Sequence, residues 1–147
     1  MIDRLKRTLT LTVAAVAVVA VGCSANRPVE QPEQSELSSE VQLTPDTYES
    51  IVHSEQAALI DFSADWCGPC QLMKPEVARI AEDMKGELVV AIADMTDNES
   101  APAAPAAVAW KVEGYPTFIL VRNGQELGRR SGSMPSGELT SWVRENL

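Results

Sequence analysis

Histidine is nearly missing from this chain: His53 is the single example among 147 residues. A closed zinc site asks for about four Cys or His ligands, and the chain holds three cysteines in all, Cys23, Cys67 and Cys70. His53 stands well apart in sequence from Cys67 and Cys70, so a metal centre is short of donors. Positive charge is scarce as well. Twelve Lys and Arg face 21 Asp and Glu, for a formal net charge of −9, and Arg4, Lys6 and Arg7 account for three of those cations at the extreme N-terminus. So acidic a chain offers no nucleic-acid surface, because binding a phosphate backbone depends on clustered Lys and Arg. The excess negative charge is otherwise a matter of solubility. No internal repeat is visible. The length leaves room for one domain with extras, and a 45% hydrophobic content is ordinary for a single buried core.

What is present begins with residues 1–22, which read as an export signal. Arg4, Lys6 and Arg7 form a basic start, Leu9 to Val21 is an apolar run, and small residues precede Cys23. The sequence Ala20-Val21-Gly22-Cys23 resembles a lipobox, in which the cysteine is acylated and becomes the new N-terminus after cleavage. Ala20 departs from that pattern, where Leu is usual. Two other outcomes stay open: release by a general signal peptidase, and retention as an uncleaved anchor, since the uncharged window from Thr8 to Ala25 is at the short end of a bilayer span. All three put the remainder outside the cytoplasm. Residues 23–40 then supply the attachment point and a tether, SANRPVEQPEQSELSSE, with almost nothing to bury. As a flexible coil it reaches about 23 Å r.m.s., and about 60 Å at full extension.

Residues 41–147 have the pattern of an α/β domain. Val41 to Leu43 suits a short edge strand, and Thr44-Pro45 is a helix start leading through residues 45–54. Ala57 to Phe62 and Leu88 to Ala93 are short apolar runs of the kind buried on both faces of a parallel sheet. Between them Cys70, Met73, Val77, Ile80 and Met84 recur at steps of three and four, one face of a helix, with Gly86 as its stop. Pro75 falls within that helix and predicts a kink, not a break. Residues 98–112 are alanine-rich and carry Pro102 and Pro105, which restricts a helix to the second half, through Trp110. Asn123-Gly124 between Thr117–Val121 and Gln125–Ser131 is a strong hairpin signal. Leu139, Trp142 and Val143 give a closing amphipathic helix. The predicted order is β-α-β-α-β-α-β-β-α.

With Cys23 acylated or removed, Cys67 and Cys70 are left, two residues apart in WCGPC. Three readings compete. A metal clamp lacks ligands, and a purely structural disulfide closes so small a loop that its entropic stabilisation is slight. A redox pair has a mechanism at this spacing. At a helix N-terminus the free amide N–H groups and the dipole favour the Cys67 thiolate and make it the attacking sulfur. Cys70, one turn on and on the buried face, can then attack the mixed disulfide. Pro69 suits the first turn, where a missing N–H costs little.

Trp66 to Cys70, following a strand and opening a Pro-containing helix, resembles the thioredoxin family. The likeness covers residues 41–147 and includes Asp61 in the preceding strand, Pro75, the Gly-Tyr-Pro-Thr stretch 114–117, the Asn123-Gly124 hairpin and Gly132. It implies a thioredoxin fold, a central mixed sheet flanked by helices on both faces. It implies that Pro116 is a cis-proline facing the cysteines, and that Trp66, Gly68, Pro69 and the backbone of Tyr115 line a substrate groove. It also implies that Asp61 is a buried carboxylate accepting the Cys70 proton. Ser63 and Ile92 depart from the family pattern, which commonly has an aromatic and a lysine there, and the segment between the third strand and Pro116 is several residues longer. That segment, with ADWC at 64–67 and MTDNE at 95–99, is similar to the periplasmic domain of DsbD-type membrane reductases.

The activity implied is extracytoplasmic thiol–disulfide exchange, in the reducing direction, on disulfides of exported proteins. No prosthetic group and no metal is called for, since the Cys67–Cys70 disulfide is the redox group. The implied partners are exported disulfide-bearing proteins such as apocytochrome c, a membrane electron donor of DsbD or CcdA type, and the membrane itself through a lipid on Cys23. An oxidase or isomerase on the same chemistry, and a non-catalytic binding lipoprotein that keeps the fold as a scaffold, are the rival functions.

Overall fold

A computed structural model describes residues 39–147. The expected export signal, Cys23 and nearly all of the tether lie outside the described residues. The chain enters the sheet through β1 (Glu40–Gln42), one residue earlier than the sequence suggests. Leu43 is buried beyond the strand, its N–H still donating to the Ile92 carbonyl at 2.8 Å. Helix α1 (Pro45–Val52) begins where expected, with Thr44 and Thr47 exchanging the two bonds of a capping box and Pro45 in the first turn. It ends at Val52, with His53 as its C-cap.

Strand β2 (Ala57–Ser63) is buried at every residue, and β3 (Leu88–Asp94) is buried along most of its length. Helix α2 (Gly68–Asp83) links them into a parallel β-α-β unit. It runs unbroken through Pro75, whose exposed position leaves the forfeited Gln71 carbonyl open to water. A 3-10 turn, Asn98–Ser100, and α3 (Ala104–Ala109) follow; the helix falls in the later part of the alanine-rich segment and stops one residue short of Trp110, which is its C-cap. Strands β4 (Thr117–Arg122) and β5 (Gln125–Ser131) then run antiparallel, and α4 (Glu138–Asn146) closes the fold.

The sheet order is β1-β3-β2-β4-β5, with β1, β3 and β2 parallel and β4 and β5 antiparallel to their neighbours. Alternation along β2 sends Ala58, Ile60 and Phe62 to the core under α1 and α3, and Leu59 to the core under α2 and α4. Helices thus cover both faces. Asp61 has the parity of Leu59.

Two features fix the frame. Asn123 and Gly124 turn the β4–β5 hairpin with φ of 50° and 74°, and their N–H groups donate to Ser54 and Val52 at the end of α1. A Cβ on Gly124 would stand 2.7 Å from the His53 ring. At the other end of the molecule α4 starts at Gly137 with no cap of its own. The buried Glu76 carboxylate, reaching from α2, accepts from the Gly137 N–H at 3.0 Å and from the Thr140 N–H at 3.1 Å.

Candidate active site

The site is built where β2 gives way to α2. Cys67 is the N-cap residue of α2, and its sulfur accepts from the Cys70 N–H at 3.2 Å. A disulfide joins the two. Cys67 is the more open of the pair, 6% exposed against 2% for Cys70, which turns inward with the apolar core. Gly68 and Pro69 lie between them on the surface. Pro69 falls in the first turn, as the sequence requires.

Around the disulfide the structure brings together the residues expected to form a groove. Trp66 is 58% exposed and meets the half-buried Tyr115 edge to face, ring centres 6.0 Å apart. The Tyr115–Pro116 peptide is cis. Pro116 itself is buried, so the backbone of Tyr115 is what this loop offers at the surface. The Pro116 carbonyl accepts from the Gly132 N–H at 2.8 Å, and the Thr117 hydroxyl donates to the Gly114 carbonyl at 2.7 Å.

Asp61 is 3% exposed, with Ile92 beside it on β3 and Phe118 on β4. Its Oδ1 has no hydrogen-bond partner. Burial pushes the carboxyl up from an ordinary 3.8 to about 7; a side-chain hydrogen bond from Ser63 opposes this, Glu40 reinforces it, and Lys74 opposes it. The absence of a cation at Ile92 is therefore real, yet a lysine is near after all, delivered by α2. Asp61 lines a cavity of about 350 Å³ that is also lined by Glu40, Ser63, Asp65, Lys74 and Asp94.

A second layer went unread in the sequence. Thr96 accepts from the Asp65 N–H at 3.1 Å through its hydroxyl and from the Trp66 indole N–H at 2.9 Å through its carbonyl, and its own N–H donates to Asp94 at 2.8 Å. This clamps the loop before Cys67. Its one sequence signal is the MTDNE stretch, whose part in the site depends on a contact thirty residues away in the chain. Among the described residues no group of Cys, His, Asp or Glu is placed to hold a metal ion. Nor is any described helix long and apolar enough to cross a membrane.

Two sulfurs bonded at a helix tip, one at the mouth and one sealed behind it, can open by taking up two electrons and two protons and close by giving them back. This is the chemistry of a thiol–disulfide oxidoreductase. The chain belongs to the thioredoxin family, whose model, Thioredoxin, matches residues 39–145. Curated relatives agree. The chain is 28% identical to thioredoxin of Haemophilus influenzae over 76% of its own length and all of that protein. It is 31% identical to chloroplastic thioredoxin Y of rice over 91% of its length and 77% of that protein. Against chloroplastic thioredoxin Y1 of Arabidopsis thaliana the identity is 32%, over 76% of the chain and 68% of the relative.

Proposed function

We propose that this oxidoreductase is a reductant of disulfides in exported proteins, working outside the cytoplasm on a membrane tether. The direction of electron flow rests on one observation, the Gly68-Pro69 dipeptide inside the Cys67–Cys70 ring. It is the dipeptide of thioredoxin, whose potential is about −270 mV, against about −120 mV for the oxidant DsbA. The location is supported by the basic-apolar-small pattern of residues 1–22 and by Cys23 in its lipobox-like setting.

The cycle balances on the chain's own groups. The reduced Cys67 thiolate attacks a client disulfide, forming a Cys67–client bond and releasing one client sulfur as a thiolate that takes a proton. Cys70 then loses its proton, through water, to the Asp61 carboxylate and attacks Cys67, breaking the Cys67–client bond, forming the internal disulfide and releasing the second client sulfur as a thiolate that takes a proton from solvent. Asp61 passes its proton to solvent through the cavity it lines. Reopening needs two electrons from a partner dithiol, and outside the cytoplasm a membrane carrier of DsbD or CcdA type fits that need. Apocytochrome c, which must be a dithiol to receive haem, is the client class we assign.

A Cys70→Ser variant tests the reading. It should stall as a Cys67–client disulfide when the full chain is expressed in its own host, whereas Cys67→Ser should trap few or no partners. Exported cysteine-bearing proteins and a membrane donor should dominate the adducts. Equal trapping by both variants would overturn the assigned roles, and a measured potential above roughly −180 mV would overturn the reducing direction. A Cys23→Ala chain that remains in the membrane fraction would overturn the lipid anchor.

A further inference from the structure

The Asp61 carboxyl must exist as a carboxylate to accept the Cys70 proton, and apart from a hydrogen bond from Ser63 the fold does little on the sheet to stabilise that charge. Its strand neighbours Ile92 and Phe118 are apolar, and Oδ1 has no partner. Around the cavity that Asp61 lines, the charged residues are Glu40 from β1, Asp65 from the loop, Asp94 from β3 and Lys74 from α2. Three are acids and one is a cation. Lys74 is four residues, about one helical turn, beyond Cys70, so a single turn of α2 carries both the proton donor and a compensating charge.

We propose that Lys74 is the charge partner of Asp61 in the resolving step, a positioning residue supplied by the helix to a carboxyl whose strand neighbours carry no charge. Its present bond is to Asp65, Nζ to Oδ1 at 3.0 Å, between side chains 50% and 72% exposed. A pair so open to water holds its partners weakly. The ammonium is therefore free to turn toward the cavity when Asp61 ionises and back to Asp65 when Asp61 takes the proton. Asp65 is kept in reach by Gln71 and Thr96, which bond its carbonyl and N–H at 3.1 Å each. Burial and Glu40 oppose the carboxylate, the Ser63 hydrogen bond favours it, and Lys74 is the one positive charge among the described residues that does so.

The inference rests on Asp61 as the acceptor of the Cys70 proton, and the test separates the two. In the full-length protein, the Asp61 carboxyl is titrated by 13C-detected NMR or by difference infrared at its C=O stretch, and resolution of a Cys67 mixed disulfide is timed against pH. Lys74→Met should raise the Asp61 midpoint by on the order of half a pH unit, the effect of removing one charge several ångströms away across a wet cavity. Lys74→Arg should restore it. Asp65→Asn should lower the midpoint, and lower it less when combined with Lys74→Met, because there is then no ammonium to release. The pH midpoint of resolution should move with the carboxyl. An Asp61 midpoint unmoved by Lys74→Met would overturn the role of Lys74 and leave Asp61 standing. A resolution midpoint that stays fixed while the carboxyl moves would overturn the role of Asp61, and that of Lys74 with it.

Discussion

Replacing Asp61 by Asn should stabilise the protein, and by an amount that depends on pH. The carboxyl is raised from 3.8 to about 7 by burial. Each unit of that rise is worth about 1.4 kcal/mol, so keeping the ionised group in the folded state costs about 4 kcal/mol once the pH is above 7. The sign follows from proton counting. Below the unfolded value both states hold the proton and no penalty exists; between about 4 and 7 the folded state binds more protons than the unfolded state, so stability falls as pH rises; above 7 the full penalty remains. Asn cannot ionise and escapes this. It does bury an amide where Oδ1 already lacks a partner, a cost of about 1–3 kcal/mol. The expected net effect is a gain of about 2 kcal/mol at pH 8, falling through zero to a loss of about 1 kcal/mol at pH 4.

Thermal unfolding of the oxidised protein reads this directly. For a domain of this size 1 kcal/mol moves the midpoint by roughly 4–8 °C, so the variant should melt on the order of 10 °C higher at pH 8. The difference should close and then reverse as pH is lowered through 7 toward 4. A difference between variant and wild type that is the same at pH 4 and pH 8 would refute the reasoning, because the penalty would not then belong to a titrating carboxyl. The same variant should slow the resolving step while leaving the first attack by Cys67 nearly intact.

In the reduced protein the Cys67 thiol should titrate below the ordinary cysteine value of about 8.5, since it caps the N-terminus of α2, and Cys70 above it; thiolate absorbance at 240 nm of the two single-alanine variants checks the order. Glu76→Ala should cost about 1–3 kcal/mol in chemical denaturation by leaving the half-buried Gly137 and Thr140 N–H groups without their acceptor. A loss under 0.5 kcal/mol would mean that α4 has another cap. Gly124→Ala should cost at least 1 kcal/mol, from its φ of 74° and the clash with His53, and a His53→Ala background should recover the steric part but not the backbone part.

Local chemistry made much of this fold readable. Thr44-Pro45 announces α1 because the Thr44 hydroxyl accepts an orphan N–H of the first turn and Pro45 has no N–H to leave unpaired, and Asn123-Gly124 announces the hairpin because two successive positive φ values suit few other pairs. The face Cys70-Met73-Val77-Ile80 announces α2 because burial follows the helical period. Contacts between distant segments were not readable. Glu76 flanks that buried face and looks like a surface acid from its spacing, yet it is enclosed because α4 brings two N–H groups to it. Ile92 does fall beside Asp61, as its place in the strand implies, but the cation arrives on Lys74 from another element, a matter of how α2 lies over β2. Likewise β1 stops at Gln42 while Leu43 keeps its bond to Ile92 without strand geometry.

The two halves of the site answer to different parts of the fold, and this separates reaching a client from committing to it. Trp66 and Tyr115 belong to loops that end at the surface, and each is fixed from behind, one by Thr96 and the other through the Pro116 carbonyl held by Gly132. On the proposed function, these two rings shape which polypeptide approaches Cys67. Cys70 and Asp61 belong to the buried side, where no client touches them. In the resolving step proposed above, a carboxyl raised to about 7 by burial suits a group that must accept the Cys70 proton and give it up again near neutral pH. An ordinary exposed aspartate, ionised but weakly basic, could not do this. On the proposed mechanism, the destabilisation carried by Asp61 in the resting protein is the counterpart of its usefulness in closing the disulfide, with the charge on Lys74 tempering both.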